Sequence, residues 1–197
     1  MLVNPKIILI SGYARSGKDT FASYMIQPLT VAHRVSFAHE LKEIANKTLW
    51  MLGLTHIDLH RDEDKVKYRD ILIGIARTAR AADSSIFARL ACRRIDEIHN
   101  AGAHVIITDW RYANEHEYLC DRYGKDKIVT VMVEKSGGFP AHEEEGSSIS
   151  QILNSININV RAFAEEGDTK HLAYYAEQLA TAINGGAFDS PQSRTAV

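Results

Sequence analysis

The sequence predicts a three-layer α/β/α fold built around a five-stranded parallel sheet. Short apolar segments alternate along the chain with segments whose apolar residues recur at helical spacing, and this alternation is typical of parallel βαβ units. The segment at 103–109 is apolar enough to be buried on both faces, as strands of parallel sheets are. The first strand runs into a glycine-rich turn that opens a helix. We therefore expect the functional site at the carboxyl ends of the strands.

Five strands and six helices are predicted in order. The first helix begins at Lys18 and ends before Pro28, because proline cannot continue a helix. Gly53 ends the second helix, Asp83 precedes the fourth as part of a cap, and Gly124 ends the fifth. The strands are apolar runs that cover 7–10, 33–37, 103–109, 128–134 and 156–160. The helices follow helical periodicity and cover 18–27, 41–52, 65–80, 86–99, 114–123 and 169–183.

The composition is that of one globular domain. The chain has 197 residues, and we assign 1–185 to this domain and 186–197 to a flexible tail. A net charge of −2 argues against nucleic acid as the main partner. The apolar run before the first glycine is too short to span a membrane. Cys92 and Cys120 lie in no metal-binding spacing, so we expect a reduced chain in the cytoplasm.

The turn after the first strand has the spacing of a phosphate-binding loop, Gly12-x4-Gly17-Lys18. Glycines allow the backbone to wrap closely around phosphate oxygens, the following helix points its positive end at the anion, and the lysine adds a mobile charge. The alternative is an ordinary glycine-containing turn. The candidate phosphate-binding residues are Gly12, Ala14, Arg15, Ser16, Gly17, Lys18, Asp19 and Thr20.

Three arginines share one face of the predicted helix at 65–80. At 100° per residue, Arg80 lies about 20° from the line of Arg69, and Arg77 lies about 60° from Arg80. No acidic residue follows any of them at i+4, so the stripe lacks helical ion-pair partners. Gly74 within this helix costs about 1 kcal/mol relative to alanine, which suggests a packing or ligand reason. The stripe predicts a site for an acceptor phosphate, and the alternative is a solvated helix face.

The third strand ends in two charged residues. Asp109 follows a buried apolar run, so its carboxylate is expected in the site, where it could orient Mg²⁺ on phosphates; the alternative is a helix cap. Arg111 is expected at the same strand end, where it could neutralise a transferring phosphoryl group. Its alternative is a surface ion pair with Glu115 at i+4.

Four segments in this order together resemble a known family. They are Gly-Tyr-Ala-Arg-Ser-Gly-Lys-Asp-Thr at 12–20, Ser-Phe-Ala through Leu-Lys at 36–42, Tyr-Arg-Asp-Ile-Leu at 68–72, and Asp-Trp-Arg-Tyr-Ala-Asn-Glu at 109–115. The sequence resembles the deoxynucleoside monophosphate kinases of bacteriophages, a branch of the P-loop nucleoside monophosphate kinase superfamily. The resemblance covers roughly residues 5 to 160.

The resemblance implies transfer of the γ-phosphoryl group of ATP to a deoxynucleoside monophosphate, with Mg²⁺, giving ADP and the diphosphate. The resemblance also implies a cytoplasmic protein, which would be in the host cytoplasm if the protein is viral. A homodimer is compatible with the resemblance. The catalytic candidates are then Lys18, Arg15, Asp109 and Arg111. With the arginine stripe, the acceptor-binding candidates are Lys42, Arg69, Arg77, Arg80, Trp110 and Arg111, mostly in helices between about 39 and 100. The metal-binding candidates are Asp19, Thr20 and Asp109.

A lid is expected at 135–148, because monophosphate kinases typically close one over the phosphates. This segment contains Gly137 and Gly138 but no arginine, so closure would involve His142 or the backbone alone. The alternative is an ordinary long loop. The three glutamates at 143–145 are expected to be solvated.

Three weaker patterns leave alternatives open. His56 and His60 stand at i and i+4, but no third ligand of suitable spacing is evident, so a metal is not expected there. Trp110, Tyr112 and Phe87 either stack on a base or belong to the core. The rival functions are a P-loop kinase of another phosphorylated small molecule, such as phosphomevalonate, and an ATP-binding switch subunit without kinase activity.

Overall fold

The computed structural model describes residues 4–165 and 169–189. Its centre is a five-stranded sheet of order β2-β3-β1-β4-β5, in which every neighbouring pair is parallel. This confirms the predicted fold class. The strands are β1 Ile7–Ser11, β2 Ala32–Val35, β3 His104–Ile107, β4 Ile128–Lys135 and β5 Val160–Ala164.

Helices follow the strands as expected of βαβ units. They are α1 Lys18–Ile26, α2 Phe37–Met51, α3 Asp62–Lys67, α4 Arg69–Ala82, α5 Ile86–Asn100, α6 Ala113–Tyr123, α7 Glu143–Ser155 and α8 Lys170–Asn184, with a 3₁₀ turn at Lys125–Lys127.

The strands of the sheet centre are buried on both faces. Ile7 and Leu9 of β1 pack in a core with α5, α6 and α7, whereas Ile8 and Ile10 pack in a second core with α1 and α8. Because side chains alternate across a strand, the continuous apolar run in β1 supplies both layers. The loop after β1 therefore lies at the carboxyl edge of a sheet that is packed on both faces.

The predicted helix at 65–80 is two helices. The break lies at Tyr68, which adopts φ −111° and ψ 26°, and its backbone N–H donates to Asp64. Its ring packs against a small separate cluster with Ala45 and Leu49 of α2. Arg69 is consequently the first residue of α4 rather than a mid-helix residue.

The structure differs from the prediction at 135–148, expected to be a lid or a long loop, and at the predicted strand 156–160. The loop ends at 142 because α7 begins at Glu143, and the fifth strand begins only at Val160. The three glutamates and Gly146 suggested a loop, but acidic residues are favourable in the first turn of a helix. The ring Nδ1 of His142 also accepts a 3.2 Å hydrogen bond from the Glu145 amide and caps α7.

Part of the predicted flexible tail is anchored. The buried Nζ of Lys6 donates to the Phe188 carbonyl at 2.9 Å and pairs with Asp189 at 2.8 Å. These contacts with Phe188 and Asp189 offset the cost of burying the charge of Lys6. The remaining tail, 190–197, lies outside the described residues.

Candidate active site

The loop between β1 and α1 has the backbone of an anion-binding loop. Gly12 adopts φ 145°, Arg15 φ 62° and Gly17 φ 98°, so three of its residues have positive φ. A Cβ on Gly12 would lie 2.2 Å from the Val133 carbonyl oxygen, which leaves no room for another residue. The first amides of α1 have no intrahelical acceptor and face the same end.

The side chains of this loop offer further donors. Lys18 lies over the loop, and its Nζ donates to the carbonyls of Gly12 and Tyr13 at 2.7 Å each. Burial, with the charge of Arg111 as the next cause, lowers the pKa of Lys18. The buried hydroxyl of Ser16 has no hydrogen-bond partner within the described part of the chain. These groups fit the oxygen-rich phosphates of a nucleotide.

A cavity of about 610 Å³ adjoins the loop and lies between α2, α4, α7 and the end of β3. Of the predicted acceptor-binding and catalytic residues, the structure brings Lys42, Arg69, Arg77, Arg80, Asp109 and Arg111 to its wall, together with Ala14 of the loop. A smaller cavity of about 180 Å³ lies between the loop and 135–138, and Arg15 and Ser16 line it. Ala14 lines both, so the two cavities meet at this residue.

Of the six cations that line the larger cavity, only Lys65 forms an ion pair among the described residues, with Asp62 at 3.8 Å. Within residues 4–165 and 169–189, the side chains of Lys42, Arg77 and Arg111 form no ion pair. For Arg69, the one polar side-chain contact found among the described residues is with Nε2 of His142, at 3.4 Å. Arg80 lies between two aromatic rings, 4.8 Å from that of Phe87 and 4.5 Å from that of Tyr112. These six cations outnumber the four carboxyl groups that line the same cavity, so its wall carries a net positive charge that suits an anionic ligand.

Asp109 lies at this cavity as a helix cap. Its Oδ1 accepts from the amide of Phe37 at 3.0 Å, and its Oδ2 accepts from the amide of Ala38 at 2.8 Å and the hydroxyl of Ser36 at 2.7 Å. The capped helix is α2, which precedes Asp109 by some seventy residues, rather than the helix after β3. Both oxygens are thus engaged, and the carboxylate joins the end of β3 to the start of α2.

The other metal-binding candidates lie at the start of α1. Asp19 is exposed, and its Oδ1 accepts from the Thr108 hydroxyl at 2.9 Å and lies 3.6 Å from Arg34. Thr20 is partly buried in the first turn. These oxygens lie beside the phosphate loop and suit Mg²⁺, which prefers oxygen ligands.

The guanidinium of Arg111 does not form the ion pair with Glu115 that was the alternative to a role in the site. Glu115 accepts hydrogen bonds from the backbone amides of Arg111, at 3.0 Å, and Tyr112, at 3.1 Å, rather than from the guanidinium. The carboxyl is 2% exposed, and this burial raises the pKa of Glu115 to about 7. Arg111 remains exposed at the cavity wall.

Trp110 does not line the cavity. It is 1% exposed, it packs in the core with α5 and α6, and its Nε1 donates to the Tyr112 carbonyl at 2.8 Å. The structure therefore assigns it to the core alternative rather than to base stacking. Phe87 and Tyr112 do reach the wall, where they hold Arg80.

The start of α7 closes one side of the site. Glu145 is 8% exposed, contrary to the expected solvation of 143–145. Its Oε1 accepts from the Ala14 amide at 3.0 Å, and its Oε2 accepts from the Ala141 amide at 2.7 Å. Glu144 accepts from the Tyr112 hydroxyl at 2.8 Å. No sequence pattern pointed to these contacts, because the partners are far apart in the chain. Ala14 and Glu145 are separated by 131 positions, and Tyr112 and Glu144 by 32.

A phosphate loop that meets a second, cation-lined cavity on a parallel sheet is the arrangement of a P-loop kinase, an enzyme that transfers a phosphoryl group from ATP to a small molecule. Residues 10–125 match the family model of phosphomevalonate kinase. This is more than half of the 197 residues, and the chain belongs to the phosphomevalonate kinase family.

No curated protein sequence matches the chain. Similar solved structures include a gluconokinase from Sinorhizobium meliloti 1021, with 10% identity, a TM-score of 0.45, and coverage of 96% of this chain and 99% of that one. An unliganded sugar kinase from Janibacter sp. HTCC2649 has 14% identity, a TM-score of 0.47, and coverage of 97% and 99%. In the described residues, no helix is both long and apolar enough to cross a membrane.

Proposed function

We propose that the protein phosphorylates a deoxynucleoside monophosphate with ATP, giving ADP and the deoxynucleoside diphosphate. The observation that carries this proposal is the larger cavity, where cations, most of them without an ion pair to any described residue, adjoin an apolar wall beside the phosphate loop. A nucleoside monophosphate has the matching halves, because its phosphate is doubly charged and its base is flat and largely apolar on its faces.

The donor phosphates would bind at the loop after β1. The amides of the loop and of the first turn of α1 would donate to phosphate oxygens, and Lys18 would exchange its two carbonyl contacts for phosphate oxygens. Asp19 and Thr20, with Asp109 through its remaining lone pairs or through water, are the residues that would hold Mg²⁺. When bound, Mg²⁺ would neutralise charge on the phosphates.

The acceptor phosphate would bind at the cation-lined wall. Lys42 of α2 and Arg69 and Arg77 of α4 line this cavity and would contact the phosphate. Arg15 and Arg111 would lie between the two phosphates, where negative charge must be neutralised during transfer. The acceptor oxygen is already an anion, so no general base is required; the bond from the γ-phosphorus to the leaving oxygen breaks as the new phosphorus–oxygen bond forms.

The base would lie against the apolar part of the wall. The apolar lining residues include Phe37 and Leu41 of α2 and Leu72, Ile73 and Ala76 of α4. Burying a base between these side chains would add hydrophobic stabilisation that an acceptor without a ring cannot obtain.

A second candidate acceptor is phosphomevalonate, and the family model favours it. Phosphomevalonate also presents a phosphate monoester, so the cations described above suit it equally. It differs in carrying a carboxylate at the other end, where a nucleotide carries its base. The side chains of Leu41 and Leu72 offer no donor for that carboxylate, whereas they can pack against a base, which is why we place the nucleotide first.

The test is an ADP-release assay with ATP and Mg²⁺ and one acceptor at a time: the four common deoxynucleoside monophosphates, and phosphomevalonate. Product analysis by mass accompanies each reaction. Turnover with one or more deoxynucleotides supports the proposal, and turnover with phosphomevalonate alone transfers the function to the second candidate. ADP release at the same rate without any acceptor would contradict both and indicate the ATP-hydrolysing switch.

A further inference from the structure

A second cluster of chemically capable side chains lies outside the cavity. His39 and Glu43 stand one turn apart on α2, and His60 lies in the segment between α2 and α3. The ligand atoms of these three residues all lie within 4.8 Å of one another, and all three residues are exposed. We propose that they form a binding site for a divalent transition metal, with zinc as the best-suited ion.

The geometry is close to that of a bound ion. Four ligands about 2.1 Å from a tetrahedral zinc lie about 3.4 Å from one another. His60 Nε2 already lies 2.7 Å from Glu43 Oε1, and the rings of His39 and His60 have their centres 5.4 Å apart. Small rotamer changes would therefore bring the three atoms around one ion. Residues at i and i+4 of a helix lie on one face, so α2 presents His39 and Glu43 together.

The third ligand is held in place by its backbone. The amide of His60 donates to Asp58 Oδ1 at 3.0 Å, and the preceding amide, of Leu59, donates to Asn46 Oδ1 of α2 at 2.8 Å. The Leu59 side chain is 0% exposed and packs with Ala45 of α2. Binding an ion therefore requires little ordering of the segment that carries His60, which reduces the entropic cost of binding.

The donor set selects among metals. Two imidazoles and one carboxylate suit zinc, cobalt, nickel and copper, whereas Mg²⁺ prefers oxygen ligands and keeps several waters. Three protein ligands leave a fourth position for water. This cluster is thus distinct in chemistry from the Asp19, Thr20 and Asp109 oxygens beside the phosphate loop.

The sequence pattern pointed to a different pair. His56 and His60 share the i, i+4 spacing, but the segment 52–61 is not helical, and the structure pairs His60 with His39 and Glu43 instead. His56 is exposed and outside the cluster, which makes it a matched control in the same segment.

The experiment uses the full chain without an affinity tag, freed of metal by a chelator and kept in excess Mg²⁺. Co²⁺ is titrated first, because its visible absorption reports tetrahedral coordination, and Zn²⁺ is then added to displace it. We expect one Co²⁺ per chain with strong visible absorption, full displacement by Zn²⁺, and a rise in Tm with Zn²⁺.

Variants assign the site. His39→Ala and His60→Ala should each weaken Co²⁺ binding by about 10- to 100-fold or more, because loss of a residue that merely supports a metal ligand already costs that much. Each variant should also abolish the Zn²⁺-induced rise in Tm. His56→Ala should bind as the natural chain does. Retained binding in both cluster variants, equal loss in His56→Ala, or no visible absorption in the natural chain would overturn the proposal. The Tm of each variant is first measured without metal, so that a folding defect can be distinguished from a loss of metal binding.

Discussion

The backbone amide of Ala14 in the phosphate loop donates a 3.0 Å hydrogen bond to Oε1 of Glu145 at the start of α7. Ala14 is also the residue at which the two cavities meet. A carboxylate therefore stands at a loop amide, close enough to Lys18 to raise its pKa against the effect of burial. This charge would repel an incoming phosphate, so we expect the start of α7 to move when a nucleotide binds.

Glu145→Gln should strengthen ATP binding by about fivefold, because the amide keeps one acceptor oxygen for Ala14, gives up the hydrogen bond from Ala141, and removes a negative charge beside the phosphates. Calorimetry with an unreactive ATP analogue measures the change. Glu143→Gln, at an exposed position of the same helical turn, is the control and should leave the Kd unchanged. Weaker analogue binding in Glu145→Gln would count against displacement of α7 by nucleotide.

Lys18→Ala should lower kcat by at least about 100-fold while Tm stays close to that of the natural chain. Within the described part of the chain, the Nζ of Lys18 donates to two loop carbonyls and to no core residue, so the fold does not depend on it as it does on a core side chain. Steady-state rates and a thermal melt measure the two quantities. Lys47→Ala, at an exposed position of α2, is the control for loss of a lysine. Unchanged turnover in Lys18→Ala would remove the loop lysine from the mechanism.

Arg77→Ala should raise the KM of the acceptor by about 10- to 100-fold and change the KM of ATP little, since a hydrogen bond to a charged group contributes about 1.5–3 kcal/mol. Initial rates with each substrate varied in turn measure this split. Arg93→Ala, on the exposed face of α5, should change neither constant. Equal effects on both substrates would argue that Arg77 does not belong to the acceptor site.

Asp109→Asn should lower the free energy of unfolding by about 1–3 kcal/mol, because an amide cannot accept all three hydrogen bonds that the carboxylate accepts. Denaturant unfolding measures this loss. Asp121→Asn, at an exposed position of α6, is the control. The same variant, assayed over a Mg²⁺ series, tests the metal role. A changed Mg²⁺ requirement indicates that Asp109 also acts on the metal, and an unchanged one leaves it as the cap of α2.

Glu115 makes stability depend on pH. Its pKa is raised from 4.5 to about 7 in the folded chain, so the folded state binds more protons than the unfolded state between these values. Stability from this group is present below pH 4.5 and is lost as pH rises through about 7, by as much as about 3 kcal/mol. Unfolding at pH 5 and pH 8 measures it. Glu115→Gln has no such titration, so its stability should fall less between the two pH values; an equal fall would place the titration elsewhere.

The sequence predicted most of the sheet and helices because their signals are local. The apolar run of β1 and the glycine spacing that follows it lie within 7–18. The apolar runs that predict β3 and β4 likewise lie within the strands' own segments. The errors fell where local composition misled. The break at Tyr68 depends on packing against α2, and the acidic start of α7 resembled a loop.

The candidate site divides in the same way. The sequence by itself determined the phosphate loop, the arginines of α4 and the charged end of β3, because each depends on neighbours in the chain or on one helical turn. Only the tertiary structure decided that Asp109 caps α2, that Trp110 is core, that Glu145 reaches Ala14, and that His60 meets His39 and Glu43. These contacts join residues from separate elements, and their distances depend on how the elements pack around the sheet.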